Sequence, residues 1–161
     1  MEAQKKILLV EDDENLAAVY RDRLKLEGLD VKEVQNGEEA LSAALDYKPD
    51  LILLDAMMPK VSGFDVLDIL RNTAATANVR VVMLTALSQP KDQERAESLG
   101  VDDYLVKSQV VINDVVNRVK HHLGVEATPE STASTAEPNS PIVTDPNFAT
   151  PGSVSDSIKN Q

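Results

Sequence analysis

Leu51-Ile52-Leu53-Leu54-Asp55 is a short apolar run that stops on a carboxylate. It is apolar at every position and too short for a helix, the pattern of a central parallel strand covered on both faces. Pro49 just before it ends any helical continuation. Reading outward, three more runs end in the same way. Ile7 to Val10 leads into Glu11-Asp12-Asp13, Val79 to Leu84 into Thr85, and Tyr104 to Val106 into Lys107. In a parallel sheet with helical crossovers the carboxyl ends of the strands open onto one edge, and ligands bind there where strand order reverses. Three carboxylates, a hydroxyl and an ammonium are therefore predicted to share one pocket. Val31 to Val34 leads to no such residue, as expected of a strand beyond the reversal.

Between the runs the period changes from that of strands to that of helices. Leu16, Val19, Tyr20 and Leu24 mark one face of a first helix, closed by Gly28. Asn36 with Glu39 three residues on reads as a capping box for a second, presenting Ala40, Leu41, Ala44 and Leu45. A loop with Pro59 and Gly63 precedes a short third helix built on Phe64, Leu67 and Leu70. Pro90 suits the first position of a fourth, which Gly100 ends. Val111, Ile112, Val115, Val116, Val119 and Leu123 carry a fifth, stopped by Gly124. Five strand-helix units of roughly 25 residues satisfy the length that right-handed parallel crossovers need. The predicted fold is α/β, a flavodoxin-like, doubly wound, five-stranded parallel sheet of order 2-1-3-4-5 with helices on both faces.

Composition narrows the function. Lys+Arg number 16 against Asp+Glu 27, a net charge of -11 that repels a phosphate backbone and argues against direct DNA binding. There is no cysteine, hence neither disulfides nor thiolate metal sites. Met1 to Lys6 is polar and is no secretory signal, and no apolar run approaches the ~20 residues that span a bilayer. A cytoplasmic protein with no membrane attachment is the expectation. The boundary is set at 124: residues 125–161 are rich in Pro, Ser and Thr, with five carboxylates against Lys159 alone and no helical period. Such a segment buries too little apolar surface to offset chain ordering, and a disordered acidic tail is predicted. Within it, Pro141 to Phe148 offers Ile142, Val143 and Phe148 as a minor candidate for a partner-binding peptide.

The strand-end residues suggest one chemistry. Asp55, leaving a buried strand as a carboxylate, can attack phosphorus and form an acyl phosphate. Glu11 and Asp12 beside it repel it unless a cation intervenes, and carboxylate oxygens select a hard ion such as Mg²⁺. Lys107 can neutralise phosphate oxygens and Thr85 can donate to them. Taken singly, each has a plainer reading: the acidic turn as a helix N-terminal cap, Lys107 as a solvated strand-end lysine, Thr85 as a hydroxyl bonded to a loop carbonyl. Asp13 is assigned to that cap. His121 and His122, at the end of the last helix, read as solvated residues rather than phosphorelay histidines.

Four spaced elements together resemble the receiver domain of two-component response regulators, over Lys5 to about Gly124. They are Ile7 to Asp13, Asp50 to Asp55 with Met58-Pro59 and Gly63, Met83-Leu84-Thr85-Ala86, and Gly100 to Lys107. The resemblance implies a CheY-like regulator phosphorylated at Asp55 by a histidine kinase or phosphotransfer protein, with output through contact with a downstream protein target. It implies that Mg²⁺ is held by Asp12 directly, Glu11 through water, Asp55, and the backbone carbonyl of Met57. It also implies that Thr85 and Tyr104 form the switch, the aromatic turning inward as the threonine swings toward phosphate. Tyr104 as a mere cover for the sheet edge is the alternative. One departure is Ser108 after Lys107, where the family usually has a proline joined by a cis peptide; without proline a cis bond costs ~2.5 to 4 kcal/mol.

Two other classes share parts of this pattern. A haloacid-dehalogenase-type enzyme also pairs an aspartate nucleophile with Mg²⁺, but needs a general acid two residues later, where this chain has Met57. A flavodoxin-like or nucleotide-binding module is open to the fold, yet no glycine-rich phosphate loop follows any strand. The expectation is a stand-alone regulator that catalyses only its own phosphorylation and dephosphorylation.

Overall fold

The computed structural model describes residues 4–125; the acidic segment predicted to be disordered lies outside the described residues from 126 on, with its peptide candidate at 141–148. The described chain runs β1 Lys6–Val10, α1 Glu14–Leu26, β2 Asp30–Val34, α2 Gly37–Asp46, β3 Leu51–Leu54, α3 Gly63–Arg71, β4 Arg80–Thr85, α4 Pro90–Ser98, β5 Asp103–Val106 and α5 Ile112–Leu123. All neighbouring strands pair in parallel, in the order β2-β1-β3-β4-β5. This is the predicted topology. Short 3-10 turns at Ala74–Thr76 and Lys107–Gln109 were not anticipated. No described helix is long and apolar enough to cross a membrane.

Strand alternation sorts the core into two layers. Leu8, Val10, Ile52, Leu54, Val81 and Met83 face α2, α3 and α4, meeting Ala40, Ala44, Phe64, Leu67, Leu70 and Ala96. Ile7, Leu9, Leu51, Leu53, Val82 and Leu84 face α1 and α5, meeting Ala17, Tyr20, Leu24, Val115, Val116 and Val119. With both faces covered, all four residues of β3 are buried, as its unbroken apolar sequence demanded.

Two helix faces are rotated from their predicted positions. Val19 is 52% exposed and Leu45 48%, while Ala17 and Ala43 are buried in their place. A helix lies closest to a sheet where its side chains are smallest, so an apolar stripe counted from large residues is rotated away from the true contact line. The capping box at α2 is displaced by one: Asn36 Oδ1 accepts the Glu39 N–H, but the Glu39 carboxylate accepts from Gln35 N–H instead of Asn36. Asp13 caps α1 as expected, its Oδ1 accepting the N–H groups of Asn15 and Leu16 at 3.0 and 3.1 Å. Gly28, Gly100 and Gly124, read as helix terminators, all have positive φ. Val111 is the N-cap of α5 and is exposed. No described peptide bond is cis, so Lys107–Ser108 is trans.

Register places the strand ends side by side. Val10 pairs with Leu54 and with Val34, Leu54 with Met83, and Thr85 with Val106. The residues that follow, Glu11, Asp55 and Lys107, therefore emerge with Thr85 on one edge. Gly63 holds the loop after β3 against this edge: its N–H donates to Ala56 at 3.0 Å, and a Cβ there would lie 2.2 Å from the Asp55 carbonyl oxygen and 2.7 Å from the Ala56 Cα. Both obstacles are backbone, so side-chain rearrangement cannot relieve them. Gly63→Ala is expected to lower stability by about 3 kcal/mol in urea denaturation. A loss under about 1 kcal/mol would show that the loop can move aside.

Candidate functional site

Glu11 and Asp55 are buried at 3% and 5% exposure, carried there by adjacent strands, whereas Asp12 faces solvent. One carboxylate oxygen from each of Glu11, Asp12 and Asp55 lies within 4.8 Å of the others. Lys107 reaches across from the end of β5: its Nζ donates to Glu11 Oε1 at 2.7 Å and to Asp55 Oδ2 at 3.1 Å. Glu11 Oε2 accepts the Asp13 N–H at 3.2 Å, and Asp55 Oδ1 accepts the Met57 N–H at 3.0 Å. These bonds fix both carboxylates while leaving Asp12 free to turn.

One ammonium bonds two of the three carboxylates, Glu11 and Asp55. Burial pushes the Glu11 carboxyl above the usual value, helped by the charge of Asp55 and opposed by Lys107. Burial alone would lower Lys107, but its bond to Glu11 and the charge of Asp55 outweigh that and hold it above the ordinary lysine value. The pocket is thus short of positive charge, which is the condition for taking up a hard cation. The oxygen donors fit Mg²⁺, and the plainer reading of Lys107 as a solvated lysine does not describe its position.

Thr85 is fully buried, and its Oγ1 accepts the Leu87 N–H at 3.3 Å. Tyr104 is partly buried and its hydroxyl donates to the Leu87 carbonyl at 2.9 Å. Burial foremost, with the charges of Asp92 and Asp55, raises the Tyr104 hydroxyl pKa and keeps it a donor. Threonine and tyrosine, which come from β4 and β5, thus grip opposite sides of one residue. Sequence reasoning did not find Leu87, because its part is played by its backbone and no residue type signals it. Beside the carboxylates opens a cleft lined by Asp12, Met57, Met58, Phe64, Leu87 and Arg95, with the Arg95 guanidinium 4.3 Å over the Phe64 ring.

Of the two histidines, one departs from expectation. His121 is exposed, but His122 is largely buried and its Nε2 lies 2.9 Å from Asp103 Oδ2, so it is not a solvated helix end. Helical periodicity places it on α5 but cannot show the carboxylate of β5 beneath it.

Residues 7–120 match the response regulator receiver domain. The transcriptional regulatory protein CpxR of Klebsiella pneumoniae is 47% identical over 102 residues, 63% of this chain and 42% of that protein. This chain therefore spans about two fifths of the length of that relative. The polar-differentiation response regulator DivK of Brucella anthropi is 32% identical over 120 residues, covering 74% of this chain and 97% of that protein. Among solved structures, the Francisella response regulator 1452 receiver domain superposes with a TM-score of 0.70 at 30% identity, covering 75% of this chain and 98% of the other. The acidic strand-end pocket, the 2-1-3-4-5 sheet and a family match over most of the chain lead to one conclusion: this chain belongs to the response regulator receiver domain family.

Proposed function

We propose that Asp55 is the phosphoacceptor, and that Glu11, Asp12, Asp55 and the Met57 carbonyl hold Mg²⁺ while Lys107 and Thr85 receive the phosphoryl oxygens. The observation that carries this reading is the Lys107 ammonium bonded to both Glu11 and Asp55. An Asp55 carboxylate oxygen attacks phosphorus, the bond from phosphorus to the donor breaks, and its electron pair leaves with the donor nitrogen or oxygen. Hydrolysis later returns Asp55 and inorganic phosphate, so the protein catalyses only its own phosphorylation and dephosphorylation. Mg²⁺, when bound, offsets the charge of the carboxylates and of the transferred group. Lys107 holds one Asp55 oxygen in position, and the Met57 N–H fixes the rotation of its other oxygen.

The switch follows from the shared grip on Leu87. When Thr85 turns its hydroxyl to a phosphoryl oxygen, it gives up the Leu87 N–H, and the Leu87 carbonyl that holds Tyr104 is no longer fixed. Two packings, one biased by the phosphoryl group, are what a switch requires. The donor is a histidine kinase or phosphotransfer protein, and the output is contact with a protein target in the cytoplasm. A net charge of -11 supports a protein target over DNA. Action as a single-domain regulator is supported by the match to nearly the whole of the DivK relative.

Three outcomes test this. Incubation with Mg²⁺ and acetyl phosphate should add one phosphoryl group by mass, lost in Asp55→Asn; full labelling of that variant would sink the assignment. Lys107→Met removes the cation competing for Glu11 and Asp55, so calorimetry should find Mg²⁺ bound about tenfold tighter, about 1.4 kcal/mol. Unchanged or weaker binding would show that Lys107 does not compete for these oxygens. Thr85→Ala should still be phosphorylated at Asp55, while amide hydrogen exchange over Leu87 to Gly100 and Tyr104 to Val119 responds less to beryllofluoride than in wild type. An identical response in both would separate Thr85 from the switch.

A further inference from the structure

Asp103, the first residue of β5, lies apart from the acidic pocket, yet its carboxylate is committed at both oxygens. Oδ1 accepts the N–H of Tyr104 at 3.0 Å. Oδ2 accepts from Arg118 Nη1 and from His122 Nε2, both on α5. The two α5 partners differ in exposure. The Arg118 side chain is 53% exposed and its ion pair is screened by solvent and salt, whereas His122 and Asp103 are 15% and 14% exposed and their bond is shielded. The other titratable group beside His122 is His121, whose ring stands edge-on at 5.3 Å. Burial works against the charge of Asp103, but the bonds from His122 and Arg118 outweigh it and hold the carboxyl below the ordinary aspartate value. It remains an acceptor.

These bonds continue into the site. His122 donates to Asp103, Asp103 accepts the Tyr104 N–H, the Tyr104 hydroxyl donates to the Leu87 carbonyl, and the Leu87 N–H donates to Thr85. An unbroken series of contacts thus joins the last turn of α5 to the Thr85 hydroxyl at the end of β4. Tyr104, one of the two groups that hold Leu87, thus has its backbone tied through Asp103 to α5.

We propose that His122 is a positioning residue for the switch: through Asp103 it holds the β5 backbone at Tyr104 in the arrangement described here and so opposes the rearrangement that a phosphoryl group on Asp55 drives. This rests on the phosphoacceptor reading above. The end of α5 then sets how much of the phosphoryl binding energy is needed to turn the switch, and by reciprocity the phosphoryl group alters the surroundings of His122. Contact of a partner at this end of α5 acts on the same balance.

The test is a beryllofluoride titration of the full chain with Mg²⁺, followed by NMR at the amides of Leu87 and Tyr104. His122→Ala should reach half-saturation at a concentration at least threefold lower than wild type. His122→Gln, whose amide can donate to Asp103, should stay near wild type. In wild type the ring resonances of His122 should move as the mimic binds. An unchanged or higher half-saturation in His122→Ala overturns the inference, as do stationary ring resonances in wild type. A His122→Gln response equal to that of His122→Ala also overturns it, since the effect would then lie in ring packing. Should His122→Ala fail to fold, the ring resonances and His122→Gln still decide. If wild-type amides around Asp55 and Thr85 ignore the mimic, the phosphoacceptor reading fails and this inference with it; if they respond and the His122 results are negative, the inference alone falls.

Discussion

Two carboxylates are buried side by side, and a single ammonium stands between them. Glu11 and Asp55 follow paired residues on neighbouring strands, and strand spacing is about 4.8 Å, so the sheet itself prevents their separation. Lys107 comes from the end of β5, 96 positions from Glu11 and 52 from Asp55, and the three form a cluster that is still short of positive charge. A core built for packing alone would replace such a group with apolar side chains, because buried ion pairs return little net stability. Its presence at the end of an otherwise apolar strand gives the molecule an acidic cluster with the donor set for a hard cation. The close approach of Gly63 to the Asp55 backbone, and the Met57 N–H on its carboxylate, serve the same geometry.

Around this fixed cluster the structure divides into well-anchored and weakly anchored parts. β3 is buried throughout, and α3 buries five of its nine residues. α4 buries only Ala96, and its sequence Pro90 to Ser98 is otherwise polar. An element with so few apolar contacts is among the cheapest to displace, and elements that move in response to a ligand come from that end of the stability range. α4 begins three residues after Leu87, the residue gripped by both Thr85 and Tyr104. The bonds that Thr85 and Tyr104 make to Leu87 therefore lie next to the least anchored helix.

α5 is anchored differently. Val115, Val116 and Val119 hold it to the sheet, Lys120 is buried with its Nζ on Glu27 at the end of α1, and His122 and Arg118 reach Asp103 of β5. Its charged residues face inward to specific partners as well as outward to water. The helix is thus both a layer of the core and, through Asp103, bonded to the strand that carries Tyr104.

The sequence by itself determined the order of elements and the composition of the pocket, because both are local properties. A run apolar at every position with prolines and glycines beside it defines a strand, and in a parallel sheet the residue that ends a strand must appear on the ligand-binding edge. Asp55, Glu11, Asp12, Thr85 and Lys107 were legible for that reason. Only the tertiary structure decided which groups bond. Lys107 meets Glu11 across 96 positions, Leu87 joins Thr85 to Tyr104 through its backbone, and His122 finds Asp103 beneath α5. Ala17 and Ala43 displaced Val19 and Leu45 from the core in the same way. Each depends on strand register and on how closely a helix approaches the sheet. Period and residue type say which face is apolar, but the distance between two faces is set only when all the side chains between them have packed.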